Sequence, residues 1–146
     1  MRTVRDIMTT DPVHCPPSAN LGDVARLMVD YDCGEIPICD EAGRPLGVVT
    51  DRDIVARLVA VGENPLQHTA GDCMSQPIVT TTPDALLEDC ARLMEQYRVR
   101  RLPVVDAAGL CCGIVSQADL ATRGSRNMTA EVVEKVSERA SERVSF

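Results

Sequence analysis

Two stretches pair a hydroxyl with a carboxylate three residues later: Gly47-Val48-Val49-Thr50-Asp51-Arg52-Asp53 and Gly113-Ile114-Val115-Ser116-Gln117-Ala118-Asp119. In each, an apolar run leads into the hydroxyl, and the acid falls in the first turn of what reads as a helix. A Ser or Thr cap with an acid at the third position is a capping box, which satisfies free backbone N–H groups at a helix start. The same atoms suit a ligand. A hydroxyl and N–H groups at such a start attract phosphate, and a carboxylate accepts two hydrogen bonds from a ribose diol. Spacing alone leaves both uses open. The copies differ in charge: Arg52 stands where the second has Ala118, and Arg98, Arg100 and Arg101 stand where the first has Asp32, Gly34 and Glu35. Arg contacts phosphate bidentately, so attraction for an anion is expected to be uneven.

Other chemistries have little support. The two histidines, His14 and His68, lie in no metal-binding helical frame, and no serine-hydrolase, P-loop or dinucleotide-binding glycine motif occurs. No enzyme and no metal site is expected. Seven cysteines, an odd number without C-x-x-C spacing, resemble neither a disulfide framework nor a zinc site. Most read as small buried thiols. The vicinal pair Cys111–Cys112 keeps a thiol-based redox sensor as an alternative, although alternation along a strand sends the two side chains to opposite faces. A formal charge of −7 repels phosphate backbones, and with no Trp, two Tyr and one Phe there are no base-stacking platforms. Nucleic acid and membrane are therefore not expected partners. The first dozen residues carry Arg2, Arg5, Asp6 and Asp11 and lack a secretory apolar core, so a cytoplasmic location is expected.

The elements that position the two motifs follow from an internal duplication. A shift of 66 residues aligns 4–55 with 70–121 without a gap, and 19 of the 52 positions are identical. Leu21, Val24, Ala25, Met28 and Tyr31 recur at helical spacing, as do Leu87, Cys90, Ala91, Met94 and Tyr97. Ser18 and Asp84 are the expected caps of these helices. Short apolar strands follow, Ile36–Asp40 and Leu102–Asp106, then turns at Asp40–Gly43 and Asp106–Gly109. Second strands, Leu46–Thr50 and Cys111–Ser116, run into helices predicted over Asp51–Val61 and Gln117–Arg123. An extended segment near Val13 or Val79 precedes each copy, and Gly62–Thr69 reads as the connecting loop. A third helix with a thin apolar stripe is predicted within 125–146. The repeats are assigned to 1–64 and 65–124. Each is too small for an independent core, so the halves are expected to bury apolar faces against one another with pseudo-twofold symmetry.

The duplicated proline strands, the A-G-x-x-x-G turns and the G-h-h-[ST]-x-x-D endings resemble tandem CBS domains, the pair known as a Bateman module. That resemblance implies an α/β (α+β) fold of two β-α-β-β-α repeats packed through their sheets, with a cleft that holds an adenosine-containing ligand. AMP comes first among these, then ATP, ADP and NAD, with S-adenosylmethionine also admitted. Carried onto this chain, Asp53 and Asp119 would hold ribose hydroxyls, with Thr50 and Ser116 near sugar or phosphate. Ile36, Pro37, Leu102 and Pro103 would line the adenine slot, and Val13, His14, Val79 and Thr80 would supply a further wall. By their own chemistry, Arg52 and Arg100 are candidates to meet phosphate, with a place on the solvated surface as the alternative. The expected role is a regulatory, nucleotide-sensing homodimer that signals in trans to a separate protein. The alternatives are a ligand-free dimerisation scaffold and the redox sensor.

Overall fold

The computed structural model describes residues 2–76 and 78–123. The helix expected within 125–146 lies outside them. The chain runs β1 (Thr9–Thr10), α1 (Leu21–Asp30), β2 (Glu35–Cys39), β3 (Pro45–Thr50), α2 (Asp51–Arg57), α3 (Ala70–Cys73), α4 (Leu87–Tyr97), β4 (Arg101–Val105), β5 (Cys111–Ser116) and α5 (Gln117–Arg123). Each repeat thus has the expected order of helix, strand, turn, strand and helix. The turns are built as their chemistry dictates. Asp40 Oδ1 accepts from the N–H groups of Ala42 and Arg44 at 2.9 Å, Asp106 Oδ1 does so from Ala108 at 2.9 Å, and Gly43 and Gly109 take φ of 93° and 82°.

Several local expectations differ. Ser18 and Asp84 do not cap: α1 is capped by Asn20, which accepts from Gly22 N at 2.7 Å, and α4 follows Leu86, which has no capping side chain. Turns closed by Ala19 N to Pro16 O and Ala85 N to Thr82 O enclose Ser18 and Asp84 ahead of the helices. Asp84 pairs instead with Arg5. The helix predicted over Asp51–Val61 breaks at Leu58, which turns inward and is buried, and resumes as a 3-10 turn at Val59–Val61. The loop after it holds a second 3-10 turn, Pro65–Gln67, capped by Asn64. The extended segments near Val13 and Val79 form single parallel bridges, Cys15 to Ile38 and Thr81 to Val104.

Contacts divide the described chain into two compact units, 12–76 with 78 and 109–111, and 2–11 with 79–108 and 112–123. They do not cut the chain at residue 64. The segment that leads into each repeat joins the unit of the other repeat. Val4 N and Arg5 N donate to Ala85 O and Pro83 O at 2.9 Å, whereas Ala70 N and Gly71 N donate to Ala19 O and Pro17 O at 2.8 Å. β1 pairs antiparallel with β5, matching Thr9 to Ile114, and at the corresponding place Ser75 bridges Val48 of β3. The sheets are accordingly β1-β5-β4 and β2-β3.

Burial explains the exchange. Val4 and Ile7, one helical turn apart, enter a core of Leu87, Cys90, Met94, Leu102, Val104, Val115 and Leu120. Ala70 and Cys73, their counterparts, enter a core of Leu21, Val24, Met28, Ile36, Ile38 and Val49. Burial of Val4 and Ile7 contributes about 1.5–3 kcal/mol each, and the smaller Ala70 and Cys73 contribute less.

Candidate functional site

Both strand-to-helix junctions are capping boxes. In the first, Asp53 N donates to Thr50 Oγ1 and Thr50 N donates to Asp53 Oδ2, each at 3.0 Å. In the second, Asp119 N donates to Ser116 Oγ at 3.1 Å and Ser116 N to Asp119 Oδ2 at 2.8 Å. The capping use of the motif is therefore real, and any ligand must share the carboxylate with the backbone.

What remains of each carboxylate differs between the copies. Ser75 Oγ donates to both Asp53 oxygens at 3.2 Å. Arg57 holds this arrangement in place: Nη2 donates to Ser75 Oγ at 3.2 Å, Nη1 to Met74 O at 3.3 Å, and Nε lies 3.7 Å from Asp53 Oδ1. The Asp53 side chain is only 16% exposed. Asp119 is partly exposed, and among the described residues its Oδ1 has no donor. The position matching Ser75 is Thr9, which is exposed and makes no side-chain bond to Asp119.

The glycine that opens each motif has a task the sequence reading left unassigned. A Cβ on Gly47 would lie 2.7 Å from the backbone oxygen of Ser75, and one on Gly113 would lie 2.8 Å from Met8 Sδ and 3.0 Å from Thr9 O. Glycine lets the exchanged segment lie against the strand, which is how Ser75 reaches Asp53. The signal was present in Met8-Thr9 and Met74-Ser75, a hydroxyl after a shared Met at the same offset from each motif.

The expected site residues separate by unit. Val13, His14, Ile36, Pro37, Thr50, Arg52 and Asp53 fall in one, and Val79, Thr80, Arg100, Leu102, Pro103, Ser116 and Asp119 in the other. Ile36 and Leu102 are fully buried in the cores, and Pro37 and Pro103 are buried beside them. The carbonyls of both prolines accept from the leading extended segment, at 3.1 Å from Cys15 N and 3.0 Å from Thr81 N. His14 and Arg52 are exposed, while Val13, Val79 and Thr80 are half-buried. Arg100 is exposed, and its carbonyl accepts from Gln117 N at 2.7 Å, which fixes it beside the start of α5. Gly34 plays the same backbone part for Asp51 N at 2.9 Å but brings no charge. The backbone position beside the start of α5 thus carries an arginine, and the matching position beside α2 carries a glycine.

Among the described residues, no group of three or more His, Cys, Asp and Glu could hold a metal ion, and no helix is long and apolar enough to cross a membrane.

The family model described as CBS domain matches residues 4–60 and 70–125. A CBS domain-containing protein of Bacillus subtilis, YhcV, is 38% identical over 130 residues, covering 89% of this chain and 91% of its own. The chain spans 60% of the length of another relative, an uncharacterised protein of Methanopyrus kandleri, which is 33% identical over 118 residues. Among solved structures, CBSX2 in complex with AMP superposes with a TM-score of 0.73 at 30% identity, covering 84% of this chain and 95% of the other. The CBS domain pair of MJ0100, with 5'-methylthioadenosine and S-adenosyl-L-methionine, gives 0.75 at 26% identity, covering 83% and 98%. Hypoxic Response Protein I with two coordinated zinc ions gives 0.77 at 34% identity, covering 84% and 98%.

Proposed function

We propose that this chain, which belongs to the CBS domain family as a tandem pair, is a regulatory module that binds an adenosine-containing nucleotide and does not turn it over. Its principal site is the second junction, where Asp119 Oδ1 accepts from the ribose diol, Ser116 lies at the sugar, and Arg100 meets a phosphate. AMP is the first choice of ligand, followed by ATP, ADP and NAD. Thr50, Arg52 and Asp53 form the weaker counterpart. Occupancy is read in trans by a separate protein, and the working unit is a cytoplasmic homodimer.

The open oxygen of Asp119 carries this reading. A carboxylate with one oxygen on its own backbone and the other without a donor is a ready acceptor for a hydroxyl. Two solved CBS-pair structures similar to this chain hold adenosine compounds, AMP in one and 5'-methylthioadenosine with S-adenosyl-L-methionine in the other. The intact capping boxes favour a second reading, a scaffold in which these carboxylates serve only the helices.

A thermal-shift panel of AMP, ADP, ATP, NAD and S-adenosylmethionine separates the two. Ligand at 100 times its dissociation constant adds roughly 2.7 kcal/mol. For a chain of this size that raises the melting temperature by roughly 5–10 °C. The shift falls in Asp119→Ala to the smaller contribution of the first junction and largely persists in Asp53→Ala. No shift with any compound supports the scaffold.

A further inference from the structure

Cys39 and Cys111 lie 72 positions apart in sequence yet fall in the same compact unit. Cys39 ends β2 at the base of the Asp40–Arg44 turn, where the register shifts so that it pairs with Pro45. Cys111 begins β5, and its N–H donates to Gly43 O of that turn at 2.9 Å. The Cys111 thiol is close enough to act on the Cys39 thiol, which it pushes up. Cys39 is 3% exposed, whereas Cys111 is partly open to solvent. The neighbouring Cys112 points elsewhere: its Sγ donates to Val104 O at 3.5 Å and packs on the other core.

We propose that Cys39 and Cys111 form a reversible intramolecular disulfide when the protein meets a hydroperoxide. The pair has an accessible member to react and a buried member already in contact to resolve it. The Cys111 thiolate attacks a peroxide oxygen and becomes a sulfenic acid, and hydrogen peroxide leaves one oxygen as water. Cys39 sulfur then displaces hydroxide from Cys111 sulfur, and its proton leaves with that hydroxide as a second water. Two thiols lose two electrons, and the peroxide gains them. Interaction with the Cys111 thiol and burial push the Cys39 thiol up, which keeps it protonated until the sulfenic acid forms beside it. The remaining buried cysteines lack this arrangement: burial pushes the thiols of Cys15, Cys73 and Cys90 up, and none is bonded to a second thiol. The disulfide ties the end of β2 to Cys111 within one compact unit.

The full-length protein is treated with hydrogen peroxide, alkylated and digested, and its peptides are identified by mass spectrometry. The expected result is a Cys39–Cys111 cross-linked peptide, loss of two of the seven free thiols, full recovery with dithiothreitol, and a higher melting temperature in the oxidised form. Cys111→Ser, at a partly exposed position, abolishes the cross-link, as does Cys39→Ser, whereas Cys112→Ser leaves it intact. A Cys111–Cys112 link, a cross-link between chains, or Cys111 sulfinic acid with Cys39 still free overturns the proposal. The outcome does not depend on nucleotide binding.

Discussion

Ser75→Ala is predicted to convert the weaker junction into a competent one. The Ser75 hydroxyl donates to both Asp53 oxygens at 3.2 Å and is itself held by Arg57 at 3.2 Å. A ribose diol aimed at Asp53 must displace that donor. A hydrogen bond to a charged group has a net value of about 1.5–3 kcal/mol. Arg57 is half exposed, so the lower figure applies. Since 1.4 kcal/mol is a factor of ten, the plug weakens binding at Asp53 by roughly tenfold. The assay is calorimetric titration with AMP in an Asp119→Ala background, where only the first junction remains, with and without Ser75→Ala. The double variant is expected to bind about tenfold more tightly, with a modest drop in melting temperature because Asp53 loses a partner. Equal affinity in the two proteins would refute the claim that Ser75 closes this site.

Arg100→Ala should weaken AMP by several-fold while leaving adenosine unchanged in the same titration, because the guanidinium meets only phosphate. Gly47→Ala should destabilise the fold by about 1–3 kcal/mol, since its Cβ would press to 2.7 Å on Ser75 O and must push the exchanged segment off β3; Gly43→Ala, in open space at φ 93°, should show only the smaller backbone strain in parallel urea melts. Alkaline pH should also destabilise the protein. Burial pushes the Cys90 thiol up to about 12 from an ordinary 9.0, so above pH 9 the unfolded chain releases a proton that the folded chain keeps. Stability present below pH 9 is lost as pH rises toward 12, by up to about 1.4 kcal/mol per unit from this thiol, and urea melts of Cys90→Ala should show a shallower decline.

The duplication, both proline strands, the Asp40 and Asp106 turns and the two motifs were legible because each rests on local chemistry. Periodicity placed Leu21, Val24 and Met28 on one helix face, and all three are buried. The exchange of leading segments was not legible. It is fixed by bonds such as Val4 N to Ala85 O, between residues about eighty positions apart, which no local pattern encodes. A trace did exist in Val4/Ile7 and Ala70/Cys73, apolar pairs one turn apart, but two residues make too short a period to stand out. The caps failed for a related reason: Asn20 aligns with Leu86, so the residue that caps α1 was not duplicated. The difference between Asp53 and Asp119 was hidden as well. It depends on where the Ser75 and Thr9 hydroxyls lie, and both residue types look alike in sequence.

Calorimetric titration of the wild-type protein with AMP against 2',3'-dideoxy-AMP tests most directly whether a carboxylate holds the ribose. Loss of the hydroxyl pair removes two charge-assisted hydrogen bonds of about 1.5–3 kcal/mol each, so AMP should bind at least roughly a hundredfold more tightly. Equal affinity for the two compounds, or no heat from either, would contradict it.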